Sequence, residues 1–301
     1  MFIRSLQFFV LVIALLMGSK VVAKTVTLES ELGFLLQAHY VAAEPDDKTL
    51  AVLVLHGFLT NNDFHTVQSL LSGLNDLGVA GLAPNLSYGI NARQSSRNCD
   101  SLHTHTLEDH RNEINLWIDW LTQQGYQNII LLGHSSGSQY LTYSHATEPH
   151  SAVGKLILTS MFYFAGEDIG TRSADLRVAR HSLVSGNPIP SKFSLMYCDQ
   201  DYFATPESYL SYKQLTREQT LSYLKIASVP VSIVMGSGDE ILHKIDPGWL
   251  EALDNTGAKV ITIEGANHFF SSLHEFDLQE NIAIIIQSFQ DDLSRGVKAD
   301  D

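Results

Sequence analysis

The sequence predicts an α/β protein: a mostly parallel, doubly wound sheet with antiparallel strands at its N-terminal edge and an inserted helical cap. Three observations predict it. Short, wholly apolar, β-branched runs alternate with longer runs of helical period, the pattern of strands covered on both faces. An early stretch, Thr25 to Val41, alternates polar and apolar residues instead, as an antiparallel hairpin turning at Gly33 would. The strand–helix rhythm then lapses between Phe162 and Val229, roughly 65 residues, too many for one crossover.

The elements follow in order. Residues 1–23 have a cation at Arg4, an apolar run from Phe8 to Met17 and small residues before a cut after Ala23, the plan of a cleaved secretory signal peptide. The alternative is an uncleaved anchor, for which an apolar core of roughly ten residues is short. The chain from 24 to 301 is read as one domain. LAVLVLHG (50–57) is a buried strand, and NDFHTVQSLLSGLNDLG (62–78) is a helix with apolar residues at 64, 67, 70, 71, 74 and 77. VAGLAP (79–84) is a short strand. In the helix 105–125, Thr106 and Asp109 have the spacing of an acidic capping box, and the stripe runs through 107, 114, 117, 118 and 121. Strands follow at 128–135 and 155–162. The cap insertion occupies about 163–228, and its aromatics Tyr163, Phe164, Tyr202, Phe203, Tyr209, Tyr212 and Tyr223 are expected to roof an apolar pocket. Beyond it come a strand at 229–238, a helix at 246–255 with Pro247 in its first turn, a strand at 258–268 and a helix at 278–293.

Charge narrows the partners. Removing residues 1–23 takes away Arg4 and Lys20 and no acid, which moves the net charge from −14 to −16. So acidic a chain, without a basic block, repels nucleic acid and anionic membranes, and points to a small-molecule or peptide ligand. No stable membrane insertion is expected once the leader is processed, so the protein is read as exported, periplasmic or secreted. The two cysteines, Cys99 and Cys198, are a candidate disulfide tethering the cap, with two free thiols as the alternative. The sequon Asn85-Leu86-Ser87 is read as a chance match.

Chemistry concentrates at strand ends. Gly133-His134-Ser135-Ser136-Gly137 fits G-x-S-x-G, with a strand before it and a helix after it. The flanking glycines, Gly133 and Gly137, let a strand turn directly into a helix and raise the Ser135 hydroxyl above the sheet edge. A nucleophilic serine needs a base, an orienting acid and oxyanion donors. His268 ends the strand VITIE, Asp239 ends VSIVM, and His56-Gly57-Phe58 ends LAVLVL. Gly57 allows a sharp turn that aims the Phe58 N–H at the site alongside the N–H of Ser136. In a parallel sheet these ends share one edge.

On these residues the chain resembles the α/β-hydrolase superfamily, from about Thr25 to Leu293: HGF, GHSSG, GSGDEI and GANHF match its oxyanion turn, nucleophile elbow, acid loop and histidine loop in order. The resemblance implies Ser135 as nucleophile, His268 as general base, Asp239 as orienting acid, Phe58 and Ser136 as oxyanion donors, and His56 as a brace for the oxyanion turn. One departure is Ser138, where many relatives have a third glycine. The implied activity is hydrolysis of an ester, thioester or related acyl substrate, partly apolar, through an acyl-enzyme, with no metal or organic cofactor. The alternatives are a ligand-binding or sensory protein on the same scaffold, and an acyltransferase. His103, His105 and His110 are read as a solvated loop and helix surface rather than a metal cluster, because no cysteine or paired acid joins them at ligand spacing. Glu240 is a weaker candidate than Asp239 for the acid, Asp199 and Asp201 are read as turn residues, and His134 as packing beneath the elbow.

Overall fold

The computed structural model describes residues 23–297. The expected leader, residues 1–23, lies outside it except for Ala23. Eight strands form one sheet in the order β1-β2-β4-β3-β5-β6-β9-β10. The antiparallel edge is β1 (Lys24–Glu29), β2 (Leu35–Val41) and the β2–β4 pair, and Gly33 sits in the hairpin turn at φ +78°. From β4 (Ala80–Asn85) onward the pairs are parallel: β3 (Leu50–Leu55), β5 (Asn128–His134), β6 (Val153–Thr159), β9 (Val231–Gly236) and β10 (Lys259–Ile263).

The apolar runs explain the layering. Along β3, Leu50, Val52 and Val54 face one side and Ala51, Leu53 and Leu55 the other, and all six are buried. The first side is covered by α1 (His65–Asp76), through Val67, Leu70, Leu71 and Leu74, and by α8 (His274–Val297), through Leu278, Ile282, Ile285 and Ile286. The second is covered by α2 (Leu107–Gln123), α3 (Ser136–Thr147) and α7 (Trp249–Asp254). The stripe Leu107, Ile114, Trp117, Ile118 and Leu121 of α2 is buried throughout, and Thr106 and Asp109 close the capping box. Among the described residues no helix is long and apolar enough to cross a membrane.

Several boundaries differ from expectation. The C-terminal helix starts at His274, four residues early, and α7 starts at Trp249, so Pro247 lies before its cap residue Gly248 rather than in its first turn. Between β6 and β9 the chain forms α4 (Ser173–Val184), α5 (Pro206–Lys213) and α6 (Arg217–Lys225), but also an antiparallel pair, β7 (Ser191–Phe193) and β8 (Tyr202–Ala204). The insertion is therefore mixed rather than purely helical. The seven aromatics expected to roof a pocket do not line the cavity at Ser135. Tyr163, Phe164, Tyr202, Tyr209 and Tyr212 are all buried, with Phe193 stacked on Tyr209 and Tyr163 edge-on to Trp249, so they form the core that joins insertion to sheet. A disulfide links Cys198 in the insertion to Cys99 in the loop after β4, with Cα atoms 5.4 Å apart. Asn85 is buried and hydrogen-bonded to Arg93 through both ends of its amide, which leaves no room for a glycan.

Candidate active site

At the carboxyl edge of the sheet, β5 runs straight into α3 and Ser135 occupies the junction at φ 54° and ψ −126°, a strained conformation for a residue with a side chain. Two glycines permit it. A Cβ on Gly133 would come within 2.6 Å of the Ser138 nitrogen, and one on Gly137 would run into the Leu55 and His56 carbonyl oxygens. Ser138, in place of a third glycine, is accommodated by its hydroxyl. Its Oγ donates to the Gly133 carbonyl at 2.9 Å and accepts the Thr159 N–H at 3.1 Å, tying the elbow to β6.

The strand ends bring the other predicted residues to this serine. His268 Nδ1 lies 2.7 Å from Asp239 Oδ2, and His268 Nε2 lies 2.9 Å from Ser135 Oγ. A carboxylate only accepts, so Nδ1 carries the proton and Nε2 is left to accept from the serine hydroxyl. The second Asp239 oxygen accepts the Ile241 N–H at 2.8 Å, and the Ser160 hydroxyl holds the His268 carbonyl at 2.7 Å. Asp239, His268 and Ser135 are all buried. Glu240, the alternative acid, is exposed. His134 is buried under the elbow with Nδ1 on the Thr159 hydroxyl, as expected of a packing residue.

The second anticipated element is the turn after β3. His56 Nε2 receives the Leu86 N–H at 3.2 Å and an Arg93 guanidinium nitrogen at 3.1 Å, so the ring's single proton sits on Nδ1 and is donated to the Gly57 carbonyl at 2.9 Å. Burial and the adjacent Arg93 charge hold the His56 pKa well below the ordinary value of 6.5, which keeps the ring in this neutral form. The Gly57 carbonyl and the Phe58 N–H belong to one peptide plane and point in opposite directions. Fixing the carbonyl from below therefore aims the N–H away from it. Among the described residues neither the Phe58 N–H nor the Ser136 N–H has a protein acceptor, and Ser136 opens α3, where the helix dipole adds partial positive charge.

Above this constellation is a cavity of about 440 Å³, walled by Phe58, Phe64, Phe162, Ile241 and Phe269 and closed on the insertion side by Met196 and Tyr197. A hydroxyl hydrogen-bonded to an imidazole, two amides without a protein acceptor and apolar walls are an arrangement suited to acyl transfer. Arg93, Ser160, Met196 and Tyr197 carry no motif or periodic signal in the sequence. The nearest signal was Cys198, adjacent to Tyr197.

The three remaining histidines contradict the expected solvated surface. His103, His105 and His110 are all buried, because the loop and the first turn of α2 that carry them run beneath the insertion. The Tyr212 hydroxyl lies 2.7 Å from both His105 Nε2 and His110 Nε2, and His103 stacks on Tyr202. Burial depresses His103 to about 4 and His110 to about 3, and drives His105 and His134 well below 6.5. These rings stay neutral in the fold and become charged in the unfolded chain below pH 6.5, so stability falls as the pH falls from 6.5 towards their folded values. His103 and His110 together contribute a slope of about 2–3 kcal/mol per pH unit near pH 5. Glu113, raised to about 7 by burial, opposes this with about 1 kcal/mol per unit between 4.5 and 7. Urea unfolding is expected to show stability rising by at least about 1 kcal/mol per pH unit between pH 5 and 6. An unfolding free energy independent of pH over that range would contradict the burial of these rings.

Comparison with known proteins follows the same lines. The model of a family described as the alpha/beta hydrolase family matches residues 52–279. Among solved structures, the chain is similar to Est1E from Butyrivibrio proteoclasticus, with a TM-score of 0.62 at 18% identity over 88% of this chain and 98% of that one. It is similar to a thioesterase domain from the curacin biosynthetic pathway, with a TM-score of 0.61 at 20% identity over 89% and 99%. Alpha/beta hydrolase domain-containing protein 10 from mouse gives 0.55 at 15% identity over 90% and 100%. At such identities the likeness is one of fold. A search of curated protein sequences finds no match.

Proposed function

The chain belongs to the alpha/beta hydrolase family, and from that premise we propose that it is a serine hydrolase cleaving an ester, thioester or related acyl bond. The observation that carries this reading is the relay Asp239–His268–Ser135 at the floor of an apolar cavity, with both hydrogen bonds within 3 Å. In this mechanism the Ser135 hydroxyl attacks the substrate carbonyl while His268 Nε2 takes its proton, and Asp239 holds the resulting imidazolium through Nδ1–H. The Phe58 and Ser136 N–H groups receive the negative oxygen of the tetrahedral intermediate, each contributing on the order of 3 kcal/mol. His268 then protonates the leaving alcohol or thiol, and an acyl-enzyme remains. Water, deprotonated by the same imidazole, releases the acid and restores the hydroxyl. This chemistry uses side chains and amides throughout.

The substrate class follows from the walls. Seven apolar or aromatic side chains face the cavity, while Lys244 and Glu240 are the charged residues among its lining, so a partly apolar acyl or alcohol group is favoured. The leader-like sequence of residues 1–23 and the Cys99–Cys198 disulfide support action in an oxidising compartment outside the cytosol.

The test is a series of p-nitrophenyl esters and matched thioesters of increasing acyl length. Turnover is expected, with kcat/KM rising from the two-carbon acyl group to an optimum before a steric fall. No turnover of any member, with binding of the same compounds by calorimetry, would instead favour a binding protein on this scaffold. Product transfer to added alcohols or amines in preference to water would favour an acyltransferase.

A further inference from the structure

Four side-chain hydrogen bonds hold the backbone of Gly57–Leu59, and one of them comes from the inserted cap. The Gly57 carbonyl accepts from His56 Nδ1 at 2.9 Å and the Thr60 hydroxyl at 3.0 Å, which orients the peptide that carries the Phe58 N–H. The next peptide plane is gripped at both ends. Its N–H, on Leu59, donates to the Tyr88 hydroxyl at 3.1 Å, and its carbonyl, on Phe58, accepts from the Tyr197 hydroxyl at 3.2 Å. Leu59 sits at φ 55°, a conformation that a leucine keeps only when its surroundings over-determine it. His56, Thr60 and Tyr88 come from the body of the fold. Tyr197 reaches in from 139 residues away.

Tyr197 is itself set on a pinned turn. Met196 and Asp199 both adopt positive φ, at 54° and 44°, and Cys198 between them is joined to Cys99 of the body. The Tyr197 ring lies edge-on to the Phe58 ring at 5.6 Å, and its outer face is open to solvent, 66% exposed. With Met196 it forms the insertion's side of the cavity. The same side chain therefore touches both the space where the acyl group would lie and the residue that would donate to the oxyanion.

Resting on the serine-hydrolase reading above, we infer that Tyr197 is a positioning residue: its hydroxyl, held in place by the Cys99–Cys198 bridge, fixes the Phe58 peptide so that the adjacent N–H faces the oxyanion. Loss of the clamp leaves the triad intact and lets one of the two oxyanion donors wander. Complete removal of such a donor costs about 10²–10³ in kcat, so misorientation of one is worth about tenfold. Reduction by a dithiol has the same consequence by another route. Two electrons and two protons pass from the dithiol to the bridge, Cys99 and Cys198 become thiols, the dithiol closes to its own disulfide, and the turn carrying Tyr197 is released.

The experiment compares wild type with Tyr197→Phe on p-nitrophenyl acetate, whose short acyl group does not depend on the cap wall, before and after treatment with dithiothreitol. The clamp predicts kcat about tenfold lower in Tyr197→Phe, with KM within about twofold, and a similar loss in reduced wild type. It also predicts that reduction adds less than about twofold to the Tyr197→Phe loss, because both changes break one contact. Unchanged kcat in Tyr197→Phe, or a loss confined to KM, overturns the inference. So does a reduction effect that multiplies in full on the variant. Phosphonylation of wild-type Ser135 by a fluorophosphonate separates the two levels. If the wild type is neither labelled nor active, the hydrolase reading fails and the clamp fails with it; if the wild type is both and Tyr197→Phe is its equal, only the clamp fails.

Discussion

Replacing Ser135 with alanine is expected to lower kcat on any ester substrate about 10⁴-fold or more while leaving KM within a few-fold of wild type. The argument rests on the elbow's geometry. Ser135 Oγ is the atom that His268 Nε2 addresses at 2.9 Å, and the strained junction at φ 54° serves to present it. Alanine fits the same backbone, keeps Gly133 and Gly137 in their close approaches and leaves the cavity walls untouched, so substrate binding persists. The Phe58 and Ser136 amides, the proposed oxyanion donors, also persist, which is why residual activity above the uncatalysed rate is expected. A second substitution sharpens this. Asp239→Asn supplies an amide where His268 Nδ1–H needs an acceptor, and the imidazole turns to the wrong tautomer or orientation, at a cost of about 10⁴ in kcat. Because the triad acts as a unit, the double variant should be no slower than Ser135→Ala alone. Steady-state kinetics of the three variants check both statements, and additive losses would contradict a relay.

Replacing Cys99 and Cys198 together with serine is expected to lower the unfolding free energy by about 4 kcal/mol. The bridge spans a sequence separation of 99, and closing a loop of about that length restricts the unfolded chain by close to 5 kcal/mol before native-state effects are subtracted. Denaturant unfolding of oxidised wild type and double variant measures the difference, with the slope on denaturant compared to check that both unfold from similar states. The loss should appear first in the insertion, which the bridge ties to the loop after β4, so amide exchange in α4 and the β7–β8 pair should quicken before exchange in β3 and β5. An unchanged midpoint would mean that the cysteines are not bonded in the folded protein. Stability and activity separate here: Tyr197→Phe removes one part-buried hydrogen bond and should shift the unfolding midpoint far less than loss of the bridge does.

What the chain discloses without its structure follows from the physics of each signal. Ser135, Asp239, His268 and the HGF turn were legible because strand ends in a parallel sheet share an edge, so four short motifs each after an apolar run imply one site. The stripe of α2 and its capping box were legible because both are local. The errors lie where burial depends on distant chain. His103 and His105 are polar residues in a loop and His110 lies in the first turn of α2, and their sequence says nothing of the insertion that covers them. Likewise Tyr202, Tyr209 and Tyr212 are buried between insertion and sheet, whereas the cavity's cap wall comes from Met196 and Tyr197 on a turn with no periodic signal. Proline favours a helix's first turn, and Pro247 fits that signal, but Asp246 closes a turn onto Gly248 first, and the helix waits for Trp249. Arg93 is one of two cations in a polar stretch with Arg97, and its hold on His56 comes from burial that only the folded chain supplies.

The central claim, resting on the proposed function, is that among the described residues Ser135 is the hydroxyl made nucleophilic by its setting. Its most direct measurement is the intact mass and peptide map of the protein after brief exposure to a fluorophosphonate at neutral pH. The account predicts a single adduct on the peptide bearing Ser135, abolished in Ser135→Ala and strongly slowed in Asp239→Asn. An adduct on Ser136 or elsewhere, or an unmodified protein after prolonged exposure, would contradict it.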